Sequence, residues 1–107
     1  MTNFKGTREA FAAAMMDMAE ERKDIVVISP DSLKAMRAVP FGEKYPDRYL
    51  ECGIAEQGAV DAAAGLASAG LTPFIGTYCG FLTMRACEQM RTFVGYTNLN
   101  VKFVGVK

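Results

Sequence analysis

Histidine is absent from this chain of 107 residues, and so is tryptophan. Without histidine, the chain alone cannot build a Cys–His catalytic pair or a zinc site with histidine ligands. Cysteine is scarce, because Cys52, Cys79 and Cys87 are an odd number without the spacing of metal ligands. We therefore predict three reduced thiols that serve as small core residues, and no metal site on this chain.

The chain also lacks an excess of charge and a long hydrophobic run. Twelve basic residues balance twelve acidic ones, which argues against partners such as nucleic acid or an anionic membrane. No apolar run approaches the roughly 18–20 residues of a transmembrane helix. Residues 1–11 lack the apolar core of a signal peptide. We expect one small domain in the cytoplasm.

Helical and strand-like patterns alternate along the chain. The continuous run Ile25-Val26-Val27-Ile28 is typical of a parallel strand that is buried on both faces. Alternation of strands and helices predicts a three-layer α/β fold, with a mostly parallel sheet and helices on both faces. The predicted elements are helix 7–22, strand 25–29, a loop with one helical turn near 33–37, strand 49–51, helix 55–69, strand 73–78, helix 81–95 and strand 101–106.

The ends and the apolar stripe of two predicted helices follow from local signals. Phe11, Met15 and Met18 recur at four- and three-residue steps, which predicts one apolar face on the first helix. Thr7 is the predicted N-cap of that helix. Gly70 suits the C-terminal end of the helix over 55–69.

In the run 51–58, ECGIAEQG, the carboxylate of Glu56 lies where a short predicted strand has ended and a helix begins. The stretch 55–70 contains seven alanines and three glycines, so a neighbouring backbone or a ligand can approach it closely. Glu56 is therefore a candidate for chemistry. The alternative is an acid that only complements the dipole of the helix N-terminus.

Three candidate residues lie at or shortly after the carboxyl ends of predicted strands. Asp31 comes after the first strand, Glu56 after the second and Tyr78 ends the third. Ligands of parallel sheets gather at the carboxyl ends of the strands, so these residues are expected to share one edge. Alternatively, Asp31 forms only an Asx turn or a helix cap, and Tyr78 with Phe81 belongs to the core.

Several motifs in one order cover nearly the whole chain. They resemble the pyrimidine-binding (Pyr) domain of transketolase-like enzymes that depend on thiamine diphosphate. The matching segments are 45–49 (YPDRY), 53–57 (GIAEQ), 64–67 (AGLA), 70–74 (GLTPF), 85–91 (RACEQMR) and the tail 98–102 (NLNVK).

The resemblance implies a role for five residues. Glu56 matches the glutamate that bonds the N1′ atom of the cofactor's aminopyrimidine and supports proton transfer within the cofactor. Tyr78 and Phe81 match aromatic positions that pack against this ring. Asp31 resembles an acid near the cofactor, and Arg85 lies where some relatives contact substrate phosphate. In the alternative interpretation, Arg85 takes part in salt bridges with Glu88 and Arg91 along one helix face.

The resemblance also implies a partner. Residues 1–107 correspond to a partial Pyr domain, because in this family the domain continues with a further loop, helix and strand. The diphosphate-binding domain, which holds magnesium and the diphosphate, has no counterpart here, and the sequence has no Gly-Asp-Gly motif. We expect a chain that is inactive alone and joins a homo- or hetero-oligomer, since an uncovered sheet edge and apolar surface favour association.

Three functions remain open at this level. The leading hypothesis is a split transketolase, which transfers a two-carbon ketol unit between sugar phosphates together with a subunit that carries the diphosphate-binding domain. The second is a piece similar to deoxyxylulose phosphate synthase, although the segments 88–91 and 98–102 favour transketolase. The third is a non-catalytic module that associates through its alanine-rich helix.

Overall fold

The computed structural model describes residues 6–107, so the first five residues of the predicted domain 1–107 lie outside the described part. Four strands and several helices alternate as predicted. The strands are β1 (Ile25–Ser29), β2 (Tyr49–Glu51), β3 (Thr72–Tyr78) and β4 (Lys102–Val106). The helices are α1 (Thr7–Glu21), α2 (Val39–Lys44), the 3₁₀ turn Pro46–Arg48, α3 (Glu56–Ser68), the π-helical segment Phe81–Arg85, α4 (Cys87–Gln89) and the π-helical segment Met90–Gly95.

The four strands form one sheet in the order β2-β1-β3-β4, and all three pairings are parallel. This confirms the predicted α/β class. β1 and β3 are the inner strands, and all five residues of β1 are buried, as its continuous apolar run requires. β2 and β4 each pair with one strand of the described sheet and are its outermost strands.

Two separate cores lie on the two faces of the sheet, as in a three-layer fold. On one face, Met15 of α1 packs with Val27 and with Phe41 of α2. On the other face, Ile28 packs against α3 and the 81–95 stretch. Neighbouring residues of β1 thus point to opposite faces and fill different cores. None of the helices in residues 6–107 combines the length and hydrophobicity needed to cross a membrane.

The segment between β1 and β2 holds more helix than its sequence predicts. Residues 33–37 form turns, as expected, but α2 and the 3₁₀ turn occupy a stretch predicted as loop. Valine, proline and glycine are weak helix formers, so propensity argued for a loop. Tertiary packing decides otherwise, because Phe41 is fully buried against α1 and anchors this helix.

Two details of α1 differ from the prediction. Thr7 is the first helical residue, and the N-cap is Gly6, which makes no side-chain capping bond. The buried face consists of Ala12, Met15 and Ala19, whereas Met18 is 40% exposed. Small alanines bring α1 close to the sheet, and Met18 lies beside that contact face instead of within it.

The 81–95 stretch is helical as predicted but irregular. A π-helical segment, which has a wider turn than an α-helix, precedes the short helix α4, and a second one follows it. The N–H of Tyr96 donates to the carbonyl of Arg91, a bond over five residues that is typical of a π-helix. Such segments change which side chains face a neighbour, and the first of them contains the candidate residues Phe81 and Arg85.

The prediction that the cysteines are core residues is wrong for two of the three. Cys79 and Cys87 are exposed and Cys52 is half-buried, and all three are free thiols. Cys79 and Cys87 lie on the helical stretch after β3, where the packed positions are taken by Leu82 and Ala86. Burial raises the pKa of the Cys52 thiol, and the neighbouring Glu51 adds to this shift.

Candidate functional site

Glu56 is the first residue of α3 and is only 5% exposed. A tight turn delivers it there from β2. Gly53 has a positive φ of 68°, and the N–H of Ala55 donates to the carbonyl of Gly53 at 2.8 Å. A left-handed backbone costs little for glycine, so this turn can be short and the carboxylate enters the site at the helix N-terminus.

Arg85 is the ionic partner of Glu56. Its Nη1 atom lies 3.3 Å from Oε1 of Glu56, and its side chain is 53% exposed. Gln57 holds the same residue from the other side, since its side-chain amide donates to the carbonyl of Arg85 at 2.9 Å. The guanidinium also lies 4.2 Å above the ring of Phe81, a cation–π distance. The buried carboxylate thus has a half-exposed counter-charge at the end of a long side chain.

Two aromatic rings stand beside this ion pair. Tyr78 and Phe81 meet edge to face with their centroids 5.7 Å apart. They are 44% and 39% exposed, so the alternative that they are core aromatics is wrong. Rings that remain exposed at a sheet edge offer flat apolar surface to a ligand or a partner chain.

The predicted neighbours do share one cleft at the carboxyl edge of the sheet. Its volume is about 340 Å³, and its lining residues are Pro30, Asp31, Ile54, Glu56, Thr77, Tyr78, Phe81 and Arg85. A second cleft lies beside it, lined by Ile54, Ala55, Glu56, Gln57, Gly58 and Arg85. The pair of Glu56 and Arg85 therefore faces both clefts. All five predicted site residues are brought together, as the topology of a parallel sheet requires.

Asp31 lines the cleft, and its backbone is hydrogen-bonded there. It has a positive φ of 56°, and its N–H donates to Oε1 of Glu51 at 2.7 Å. The residue therefore lies in a strained turn that turns the chain away from the end of β1. Its position on the cleft agrees with the prediction, and its role toward a cofactor stays a prediction.

Glu51, which no sequence motif singles out, accepts three hydrogen bonds next to the site. The donors are the N–H of Asp31 at 2.7 Å, the N–H of Gly53 at 2.9 Å and the hydroxyl of Tyr49 at 2.6 Å. Burial opposes ionisation, but these bonds outweigh it and lower the pKa of Glu51. The only signal in the sequence was an acid at the end of a strand, which is too common to single it out.

The salt bridges predicted along the last helix form in part. Arg91 pairs with Glu88 at 2.6 Å, as the three-residue spacing predicts. Arg85 does not join them, because it reaches across to Glu56 on α3. Arg85 is the last residue of the first π-helical segment, and its side chain extends toward α3 instead of along its own helix. Within residues 6–107, histidine, cysteine, aspartate and glutamate form no cluster of three or more that could hold a metal ion.

Residues 5–107 match the family described as transketolase, pyrimidine binding domain. 1-Deoxy-D-xylulose-5-phosphate synthase of Cutibacterium acnes is 43% identical over 96 residues, which are 90% of this chain and 15% of that enzyme. One of the subunits of apulose-4-phosphate transketolase from Phocaeicola vulgatus is 35% identical over 104 residues, which are 97% of this chain and 33% of that protein.

Solved structures show the same relationship. A structure described as split gene transketolase, inactive beta4 tetramer, superposes with a TM-score of 0.83 at 37% identity, over 92% of this chain and 33% of that one. Transketolase of Campylobacter jejuni superposes with a TM-score of 0.82 at 17% identity, over 97% of this chain and 17% of that one, which shows the shared fold. The chain spans 15% of the length of the Cutibacterium acnes enzyme and 33% of the length of the Phocaeicola vulgatus subunit. Since the family match covers nearly the whole chain, the protein belongs to the family of transketolase pyrimidine-binding domains.

Proposed function

We propose that this chain is the pyrimidine-binding part of a transketolase-type enzyme. With a partner that carries the diphosphate-binding domain, it would transfer a two-carbon ketol unit between sugar phosphates and use thiamine diphosphate. The observation that carries this proposal is the buried carboxylate of Glu56 on a cleft with two exposed aromatic rings. The relative that is named as one subunit of a transketolase supports the dependence on a partner.

The cleft residues fit an aminopyrimidine in their chemistry. Tyr78 and Phe81 offer aromatic surface that can cover a heterocycle while its edge stays free for hydrogen bonds. Glu56 offers a carboxyl group at that edge, and Asp31 lies on the same cleft. When bound, thiamine diphosphate supplies an electron sink for breaking and forming carbon–carbon bonds next to a carbonyl.

Glu56 would hold a proton at the ring nitrogen that faces it, which is the task of a general acid–base group. In the chain by itself, Arg85 provides the counter-charge that a buried carboxylate needs. A single contact at 3.3 Å to a half-exposed arginine is a weak ion pair that a ligand can replace. Arg85 is then free to meet a phosphate group of the sugar substrate, for which its planar guanidinium is suited.

The partner would supply magnesium and the diphosphate site. Large apolar side chains on the surface support association into a homo- or hetero-oligomer, among them Ile54, Met84 and Tyr96, which are 76%, 81% and 74% exposed. The free thiols fit a reducing compartment, and we propose the cytoplasm as the location.

The test is native mass spectrometry of the protein purified from its own cells, with thiamine diphosphate and magnesium added. We expect a complex with a second chain that carries a diphosphate-binding domain, together with bound cofactor. In that complex Glu56→Gln should abolish ketol transfer, whereas Asp61→Asn, which removes an exposed acid from the same helix, should not. Full activity of the Glu56→Gln complex would contradict the proposal.

The identity of 43% with a deoxyxylulose phosphate synthase favours a second candidate, a piece of an enzyme of that type. The same complex decides between the two, because one candidate moves a ketol unit between sugar phosphates and the other releases 1-deoxy-D-xylulose 5-phosphate. A homo-oligomer without cofactor would favour the third function, a non-catalytic interaction module.

A further inference from the structure

The carboxylate of Glu51 joins three parts of the chain at the edge of the site. Its Oε1 atom accepts from the N–H groups of Asp31 and Gly53, at 2.7 and 2.9 Å, and its Oε2 atom accepts from the hydroxyl of Tyr49 at 2.6 Å. Asp31 follows β1, whereas Gly53 follows β2. One side chain at the end of β2 therefore fixes the turns that leave two neighbouring strands.

Both turns contain a left-handed residue. Asp31 has a φ of 56° and Gly53 a φ of 68°. For Asp31, this conformation costs free energy that its surroundings must offset, and the bond from its own N–H to Glu51 does so. Gly53 precedes Glu56 by three residues, and the bonded turn between them is short. The positions of both acids on the cleft thus depend on the same acceptor.

The ionised form of Glu51 suits this task, since a carboxylate has acceptor sites for all three donors. The hydrogen bonds lower its pKa despite partial burial. Burial, with Glu51 as second cause, raises the pKa of the Tyr49 phenol to about 12, so Tyr49 remains a donor at neutral pH. Tyr49 is itself held, because its ring lies against Gly42, where an added Cβ would come within 3.3 Å of it.

We propose that Glu51 is the positioning residue of this site: its carboxylate joins the turns after β1 and β2 and thereby sets Asp31 and Glu56 on one cleft. It does not line that cleft itself. Its effect on ligand binding rests on the proposed function, whereas the link between the two turns does not. The experiment is designed to separate these two parts.

The first readout needs no ligand and follows backbone amides of the isotope-labelled chain by NMR. In the wild type, the Gly53 and Asp31 amides should shift together with acid, with a midpoint below the ordinary 4.5 of a glutamate. In Glu51→Gln the Gly53 response should disappear, and in Glu51→Ala the Glu56 amide should shift as well. Asp61→Asn, the matched control, should leave all three amides unchanged. Unaltered Gly53 and Glu56 amides in Glu51→Ala would overturn the proposal.

The second readout is the affinity of the chain for thiamine, from the same spectra. Glu51→Ala should weaken binding by about tenfold or more, and Glu51→Gln, which keeps one acceptor oxygen for the two amides, should recover part of that loss. If Glu56→Gln weakens binding but Glu51→Ala does not, the positioning role is refuted and the proposed function stands. If the chain alone does not bind thiamine, the same variants are compared in the complex with the partner subunit. If thiamine binds equally to wild type and Glu56→Gln, the role of Glu56 in the proposed function fails, and the amide readout still decides the role of Glu51.

Discussion

The end of the sheet where the strands begin, the amino edge, and the end where they finish, the carboxyl edge, are built in opposite ways. At the amino edge, polar groups pair with one another inside the chain. Asp24 accepts from Arg22 at 2.6 Å and from the hydroxyl of Thr72 at 2.6 Å, and the Thr72 N–H donates to the Asp24 carbonyl at 2.8 Å. At the carboxyl edge, two exposed rings and a half-exposed arginine surround a buried carboxylate.

Arg48 shows most clearly how the amino edge is closed. Its guanidinium donates to the carbonyls of Ala19, Arg22 and Ile25 at 3.1, 2.9 and 2.9 Å. Ala19 and Arg22 lie at the end of α1, where carbonyls lack helical partners, and Ile25 is the first residue of β1. The same guanidinium lies 4.4 Å above the ring of Tyr45. One side chain therefore donates hydrogen bonds to carbonyls at the end of α1 and the start of β1, and it also stacks on an aromatic ring.

The contrast indicates which edge of the sheet stabilises the fold and which edge is available for binding. Contacts at the amino edge saturate the groups involved, so changes there should affect folding. At the carboxyl edge, Tyr78, Phe81 and Arg85 remain exposed, so changes to these side chains should affect binding with little effect on folding. The expectation agrees with the general rule that parallel sheets bind ligands at the carboxyl ends of their strands.

The largest expected effect on folding is that of Arg48→Ala. The variant leaves three carbonyls without a donor and removes the stacking on Tyr45, so the free energy of unfolding should fall by about 2–4 kcal/mol. Urea denaturation followed by circular dichroism measures it. Arg48→Lys should recover less than half of the loss, since an ammonium lacks the planar fork. A loss below about 0.5 kcal/mol would contradict the role assigned to this arginine.

At the opposite edge, Glu56→Gln should separate binding from folding. Thiamine affinity should fall by about tenfold or more, because a hydrogen bond to a charged or protonated carboxyl group is lost. The free energy of unfolding should change by less than about 1 kcal/mol, since the partner Arg85 is half-exposed and keeps its hydration. Calorimetric titration and urea denaturation give the two numbers. A variant that unfolds easily yet binds normally would reverse the comparison of the edges.

Acid should weaken the amino edge through Asp24. Hydrogen bonds from Arg22, and then from Thr72, lower its pKa from 3.8 to about 2. Its contribution to stability is therefore complete above the unfolded-state pKa and is lost as the pH falls through the folded-state pKa. Between pH 5 and pH 2, the urea midpoint of the wild type should drop more than that of Asp24→Asn. Parallel curves for the two proteins would show that this carboxylate does not matter.

The smallest effect is expected for Tyr49→Phe. Loss of the hydroxyl that Glu51 accepts should cost about 1 kcal/mol of unfolding free energy at pH 8. Because the folded-state pKa of Tyr49 is raised to about 12, its contribution is complete below the ordinary 10 and is lost as the pH rises through 12. The difference between wild type and variant should therefore shrink above pH 10, as denaturation at pH 8 and pH 11.5 would reveal. A constant difference would mean that the phenol titrates normally.

Much of the fold follows from local patterns, because burial on both faces and helical periodicity leave direct marks in a sequence. β1 and β2 have the predicted bounds, and α3 differs from its prediction by one residue at each end. Helix α2 could not be predicted, since its residues favour a loop and tertiary contacts, above all the burial of Phe41, stabilise it. The exposure of Cys79 and Cys87 likewise depends on which side of an irregular helix packs inward.

The sequence by itself determined the α/β class, the family motifs and the five candidate residues that line one cleft, because the signals for each lie within short segments. Only the tertiary structure decided their contacts. Arg85 meets Glu56 from 29 positions away, and Asp31 meets Glu51 across 20 positions. Such pairs form because strand order brings distant turns to one edge, and the spacing of residues along a chain carries no record of that order.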